Sequence, residues 1–259
     1  MTIKVDEKAI VSKKAHLGSG VTVGPYAVIG PDAEIGEGTS IDAFAQVIGN
    51  TKIGKNCHIF SHAVIGGVPQ DLKYKGEKSF LVVGNNNIIR EFVTMNLGTE
   101  KDSKTIIGNN NLIMAYSHIA HDCIIGNYNI LANCATLAGH VTIEDKVTIG
   151  GLVAVHQFCR LGLLSIVGGC SKVVQDVAPF SMSDGHPSVA CGLNSIGMKR
   201  ANFSLEAIRV LKKAFKILFF ENHTLDKAKE LVKRELPLTK EISYLLSFVS
   251  SSKRGLGRQ

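Results

Sequence analysis

The run Ile107-Gly-Asn-Asn-Asn-Leu-Ile113-Met-Ala-Tyr-Ser-His-Ile119-Ala-His-Asp-Cys-Ile-Ile125-Gly-Asn-Tyr-Asn-Ile-Leu131 sets a branched aliphatic at every sixth residue. The step continues unbroken through Leu137, Ile143, Ile149, Val155, Leu161, Val167 and Val173. Four places after each aliphatic comes a residue that is mostly small, as at Ser117, Cys123, Ala135 and Ser165, and glycine often follows the aliphatic directly, as at Gly108, Gly126 and Gly150. This period fits neither the roughly 3.6 residues of a helical turn nor the simple alternation of an ordinary strand. It fits a parallel β-helix of hexapeptide repeats, in which each hexad forms one face of a triangular coil and its aliphatic fills the interior. Three hexads close a coil, and coils stack at about 4.8 Å, so residues eighteen apart stand above one another.

The same register begins at Val5 and runs through Val11, Leu17, Val23, Ile29, Ile35, Ile41, Val47, Ile53 and Ile59 to Ile65. It then fails: Asp71 and Glu77 fall where aliphatics belong, and Pro69 cannot donate to a sheet ladder. Residues 66–82 are therefore expected to leave the prism as a polar loop. Register returns at Val83, Ile89 and Met95, breaks again from Leu97 to Lys104, and resumes at Ile107. The coils are expected to end near Val177-Ala178-Pro179-Phe180, with a turn at Asp184-Gly185-His186-Pro187. Ser204 is a helix N-cap candidate for a helix reaching about Phe220, and Thr224 and Thr239 cap two more. The expected architecture is an all-β parallel β-helix over residues 1–185, with the loop 66–82 extruded, followed by a C-terminal α-helical domain over residues 186–259.

Composition agrees with a narrow prism. Of 259 residues 45% are apolar and only 6% aromatic, while glycine is abundant at 26, as expected if glycine serves the corners. The apolar run Ile217-Leu218-Phe219-Phe220 is too short to span a bilayer, and Met1-Thr2-Ile3-Lys4-Val5 has no signal-peptide core, which together predict a cytoplasmic protein without stable membrane insertion. Cys57, Cys123 and Cys159 take the small place after a hexad aliphatic and read as buried thiols used as small hydrophobes. Charge is uneven. Residues 199–259 carry 14 Lys/Arg against 6 Asp/Glu, whereas residues 1–198 carry 15 against 16, so the basic excess sits on the helical domain. Such a surface suits an acidic partner, and a solvated helix face is the plainer reading.

Four histidines, His118, His121, His140 and His156, fall in one part of the prism. By the column rule His121 lies under Gly139, which lies under Gln157, while Asp122 lies under His140 and Phe158. These residues converge on one corner with a glycine, and hence a notch, in the middle. A neutral imidazole beside a carboxylate is a natural general base, and the Gly139 N–H is a candidate oxyanion donor. The rival is a three-histidine zinc site like that of the gamma-class carbonic anhydrases, whose His-x4-His spacing differs from His118-x2-His121 followed by Asp122.

The segments His118-Ile-Ala-His121-Asp122, Ala138-Gly139-His140, Val155-His156-Gln157-Phe158-Cys159, Val167-Gly-Gly-Cys170, Pro69-Gln70-Asp71-Leu72-Lys73-Tyr74 and Gly192-Leu-Asn-Ser-Ile-Gly-Met-Lys-Arg200 resemble the acyl-carrier-protein-dependent UDP-N-acetylglucosamine acyltransferases of lipid A biosynthesis, over essentially the whole chain. The resemblance implies a left-handed coil, a homotrimer with sites between subunits, and transfer of an (R)-3-hydroxyacyl group from the 4′-phosphopantetheine thioester of acyl carrier protein to the 3-position of the UDP-sugar. It implies no other cofactor, no metal and no nucleic acid. It assigns His121 as the base, Asp122 as its orienting partner and the Gly139 amide as oxyanion donor. Gln70, Asp71, Lys73, His118, His140, His156, Gln157 and Arg200 become substrate contacts, and Gly169 the position that limits acyl-chain depth. The chain departs from the family pattern at Leu97, where a basic residue is expected, at Ile196, where an acidic one is common, and at Ala201, where a second Arg often follows. Some relatives acylate a 3-amino sugar, so oxygen and nitrogen acceptors both stay open. A sister N-acyltransferase would carry an extra N-terminal domain, a coenzyme A-dependent acetyltransferase would not need this loop and these helices together, and a non-enzymatic scaffold would not need the notch.

Overall fold

The computed structural model describes residues 2–258. Short strands stack into three sheets of eleven, nine and eight strands that form the faces of one prism, all pairings being parallel except that of the last two strands. Above the two excursions the register is eighteen, as in Ile119↔Leu137↔Val155↔Val173. The hexad aliphatics face inward: Ile107, Ile113, Ile119, Ile125, Leu131, Leu137, Ile143 and Ile149 are all at most 1% exposed. Burying each such side chain contributes about 1.5–3 kcal/mol, which is what sets the six-residue register. Cys57, Cys123 and Cys159 line this interior, and burial pushes the Cys123 thiol up to about 12 and the Cys159 thiol to about 11.

Three expectations need correction, two within the coils and one at their end. The first loop is shorter than residues 66–82. Gly67 still pairs with Asn96, and Phe80–Val83 forms a strand against Thr51–Ile53 and Lys104–Ile107, so only residues 68–79 project. That strand alternates Leu81 and Val83 inward with Phe80 and Val82 outward, a period of two that the six-step register does not see. Glycine, in turn, is not what turns the corners. The left-handed places are held mostly by other residues, among them Asn56, Asn86, Asn110, Tyr128 and Lys146, all with φ between 52° and 59°. The glycines that follow the aliphatics serve close approach between coils: a Cβ on Gly36 would lie 2.5 Å from Gly54 C, and one on Gly108 would lie 2.4 Å from Gly126 O.

Along one corner the left-handed places hold a ladder of rings, Tyr26, Phe44, His62, Phe92 and Tyr116, with successive centroids 5.0, 5.0, 4.9 and 4.8 Å apart. Each stacked pair contributes about 0.5–1.5 kcal/mol, enough to offset a left-handed conformation that costs a residue with a Cβ about 1 kcal/mol.

The last strands form a hairpin, Ser181–Gly185 with Ser188–Leu193, so sheet structure runs past the boundary expected at residues 185/186 and the turn falls between them. Helices follow as α1 (Ser195–Arg200), α2 (Leu205–Phe215, prolonged by a π-turn to Phe220), α3 (Leu225–Glu235) and α4 (Lys240–Ser250). Ser204, Thr224 and Thr239 cap as expected, each accepting a backbone N–H from the first turn. The helices close a second core with Leu164, Ala178, Phe180 and Ala190 of the final coils. Polar ties fix this end: the Arg160 guanidinium lies 4.3 Å from the Phe248 centroid, the Tyr244 hydroxyl donates to Glu144, and Ser252 Oγ donates to Asp176 Oδ2 at 2.7 Å.

Candidate active site

One corner of the prism is cut by both excursions, and the polar side chains gather there. His121 and Asp122 form the turn after strand His118–Ile119, and Gly139 and His140 form the same turn one coil above. Asp122 Oδ2 accepts from His121 Nδ1 at 2.9 Å. That bond places the imidazole proton on Nδ1 and leaves Nε2 as the acceptor. The pair is protected, with each side chain 11% exposed. His140 meets His121 edge-on at 5.1 Å, stacks on Phe158 at 4.7 Å, and brings its Nε2 within 3.8 Å of Asp122 Oδ2.

The notch over Gly139 is filled by the His121 imidazole itself. A Cβ on Gly139 would lie 2.3 Å from His121 Cε1 and 2.5 Å from Nε2, so the glycine is what allows the imidazole to lie there. Among the described residues the Gly139 N–H has no acceptor, while the N–H of the next residue, His140, donates to His121 O at 3.0 Å. An imidazole with a free ring nitrogen and an unpaired amide donor thus share one spot.

The projecting loop returns to this corner. Asp71, held by the Lys73 N–H on Oδ1 at 2.8 Å, brings Oδ2 within 3.8 Å of His121 Nε2. Gln70 and Lys73 flank it and are exposed. His118 is half-buried and bonded through Nδ1 to Thr94 Oγ1 at 2.7 Å; burial, helped by the neighbouring His121, pushes its pKa down. Burial would push the Asp122 carboxyl up, but hydrogen bonds from Thr99, His121 and Ser103 and the charge of His140 more than offset that and hold it below its ordinary value. His121, Asp122 and His140 could offer a metal one donor atom each, all within 4.8 Å.

Other expected residues lie apart. His156 and Gln157 are exposed above this corner, and His156 Nδ1 lies 3.3 Å from Arg254 Nη2. Gly169 is exposed on the corner that carries the ring ladder, directly over Gly151. Arg200 ends α1 beside the third corner and lines a cavity of about 800 Å³ with Tyr128, Lys146, Asn194, Ser195 and Ile196. Leu97 does not face this site at all: it is 5% exposed and packed in the prism interior against Gly49. Thr94, Thr99, Ser103 and Thr105 were not legible as site residues; the only signal for Thr99 and Ser103 is the second break in register.

Residues 32–67 and 104–139 match the bacterial transferase hexapeptide, and residues 176–257 match the second domain of UDP-N-acetylglucosamine O-acyltransferase. The acyl-[acyl-carrier-protein]–UDP-N-acetylglucosamine O-acyltransferase of Aliarcobacter butzleri is 51% identical over 97% of this chain and 97% of its own. The chain belongs to the UDP-N-acetylglucosamine O-acyltransferase family. A second O-acyltransferase, from Thermodesulfovibrio yellowstonii, is 51% identical over 98% of this chain and 99% of its own. The solved UDP-N-acetylglucosamine acyltransferase of Francisella novicida superposes with a TM-score of 0.94 at 38% identity, covering 98% of this chain and 94% of that one. The prism is accordingly the left-handed parallel β-helix of this O-acyltransferase family.

Proposed function

We propose that the protein transfers an (R)-3-hydroxyacyl group from acyl carrier protein to the 3-hydroxyl of UDP-N-acetylglucosamine, in lipid A biosynthesis. The observation that carries the chemistry is the His121–Asp122 hydrogen bond of 2.9 Å beside the unpaired Gly139 N–H. His121 Nε2 takes the proton of the sugar hydroxyl as its oxygen bonds to the thioester carbon. The carbonyl oxygen, now an oxyanion, accepts from the Gly139 N–H. The tetrahedral intermediate collapses by breaking the C–S bond, and the imidazolium returns its proton to the departing thiolate. Asp122 holds the tautomer and balances the imidazolium charge. The reading needs no metal, and its only prosthetic group is the phosphopantetheine of the donor.

Asp71, Gln70, Lys73, His118 and His140 surround the base and suit the sugar, with His156 and Gln157 above them for the pantetheine arm. The O-acyltransferase names of the relatives favour an oxygen acceptor. Arg200 supports the trimer. Its cavity opens beside Tyr128 and Lys146, one full prism face away from the His121 corner, so a nucleotide at Arg200 and a sugar at His121 are joined when two copies face each other. The donor protein is acidic, and α2 offers it Arg209, Lys212, Lys213 and Lys216 around an apolar hollow of about 590 Å³ floored by Phe215 and Phe220. Assaying UDP-N-acetylglucosamine against its 3-amino analogue tests the acceptor: faster transfer to the amine would replace the hydroxyl in this reading.

A further inference from the structure

The second excursion, residues 97–103, has no role in the reaction as described, yet backbone hydrogen bonds tie it to the first. Leu97 N–H donates to Gly67 O at 3.0 Å, Gly98 N–H to Phe80 O at 3.3 Å, Asp102 N–H to Lys78 O at 2.8 Å, and Phe80 N–H to Ser103 O at 3.0 Å. The excursion is thus braced on both stems of the loop that carries Asp71. Leu97, buried in the prism interior, pins its start.

From that base the excursion meets the carboxylate of Asp122. Thr99 donates twice to Oδ2, from Oγ1 at 2.7 Å and from its backbone N–H at 3.2 Å, and the same Oδ2 accepts from His121 Nδ1 at 2.9 Å. Gly98 makes the approach possible, since a Cβ there would lie 2.8 Å from Asp122 Oδ1 and 2.3 Å from Ser103 Oγ. Thr105 Oγ1 takes the Asp122 backbone N–H at 2.8 Å and fixes the turn itself.

We infer that residues 97–103 form a carboxylate cradle and that Thr99 is the positioning residue that aims Asp122 at His121. A carboxylate beside an imidazole can rotate about its last torsion or swing to solvent, and either movement loses the tautomer that presents Nε2 to the acceptor hydroxyl. Thr99 ties the oxygen that the imidazole uses, so the two bonds set one geometry. The inference rests on His121 being the base.

The test compares full-length native protein with Thr99→Val, Thr99→Ser and His121→Ala in the acyl-transfer assay across pH. Valine keeps the shape and removes the hydroxyl donor. Its kcat is expected to fall about tenfold or more, as for loss of a hydrogen bond to a charged group, with the KM for the UDP-sugar nearly unchanged. The acid limb of kcat/KM should move to higher pH, because a carboxylate with one donor fewer binds a proton more readily and holds the imidazolium more strongly, and the limb belongs to the pair. Thr99→Ser should restore both. A Thr99→Val enzyme with native kcat and native limb overturns the cradle, and so does a Thr99→Ser enzyme as impaired as Thr99→Val with the limb unmoved, which is the mark of a merely structural role. If His121→Ala stays active the reading of the base has failed; if it is dead while Thr99→Val is native, only the cradle has.

Discussion

The imidazole of His121 lies directly over Gly139, at a place where a Cβ would come within 2.3 Å of its ring. Position 139 therefore gives that imidazole its room, and in the proposed reaction it also offers the oxyanion its N–H. Gly139→Ala should displace the ring rather than unfold the coil, since the φ of this glycine is not left-handed and the clash is with a side chain. Transfer is expected to drop by two orders of magnitude or more, about the combined effect of a misplaced base and a disturbed oxyanion donor, with the melting temperature within a few degrees of native. A variant with native kcat would refute the placement.

Asp122 is held below its ordinary pKa, and the sign of its linkage follows. An ionised carboxylate stabilised in the fold contributes stability above its unfolded pKa and loses it as pH falls through the lower folded one. Asp122→Asn removes the charge and keeps the shape. Its melting temperature should lie below native at neutral pH, with the gap narrowing on acidification, and its kcat should fall about a hundredfold or more. A gap that does not change with pH would contradict the assignment.

Phe44 separates stability from conformation. It stacks between Tyr26 and His62 at 5.0 Å on either side, at a φ of 62°. Phe44→Ala loses two stacked pairs and keeps a Cβ in the left-handed region, at a cost of about 1–3 kcal/mol. Phe44→Gly loses the same stacking and relieves the backbone, so the glycine variant should denature at higher urea than the alanine variant. The reverse order would mean that the position carries no left-handed strain for the rings to offset.

Gly169 is exposed, and a Cβ there would lie 3.3 Å from Gly151 O and 3.9 Å from its N, a tight but passable fit. Gly169→Met should fold with little loss of stability and prefer shorter acyl chains in competition between donors. Unchanged chain preference would remove Gly169 from the acyl path.

The prism was legible because one physical demand, an aliphatic at each interior place, repeats without exception from Ile107 to Val173. The caps at Ser204, Thr224 and Thr239 were legible for a similar reason, a polar residue meeting the first turn of an amphipathic stretch. The strand Phe80–Val83 was not, because it follows a period of two inside a chain read by sixes. The histidine corner could be assembled from column arithmetic, since coils without insertions preserve an eighteen-residue register. Thr99 and Asp71 could not be placed that way: both stand on excursions whose return path is set by backbone bonds between the excursions themselves, as in Asp102 to Lys78, and no spacing encodes those. Leu97 reads in the sequence only as a departure from the family pattern, because a residue outside the register carries no sign of facing inward.

The most direct measurement is transfer from (R)-3-hydroxyacyl carrier protein to UDP-N-acetylglucosamine by the native protein and by His121→Ala under the same conditions. Native transfer that falls by about a hundredfold or more in the variant, with the fold intact, is the predicted result. Transfer that persists in His121→Ala would contradict the account, because the group proposed as the base would then not be needed.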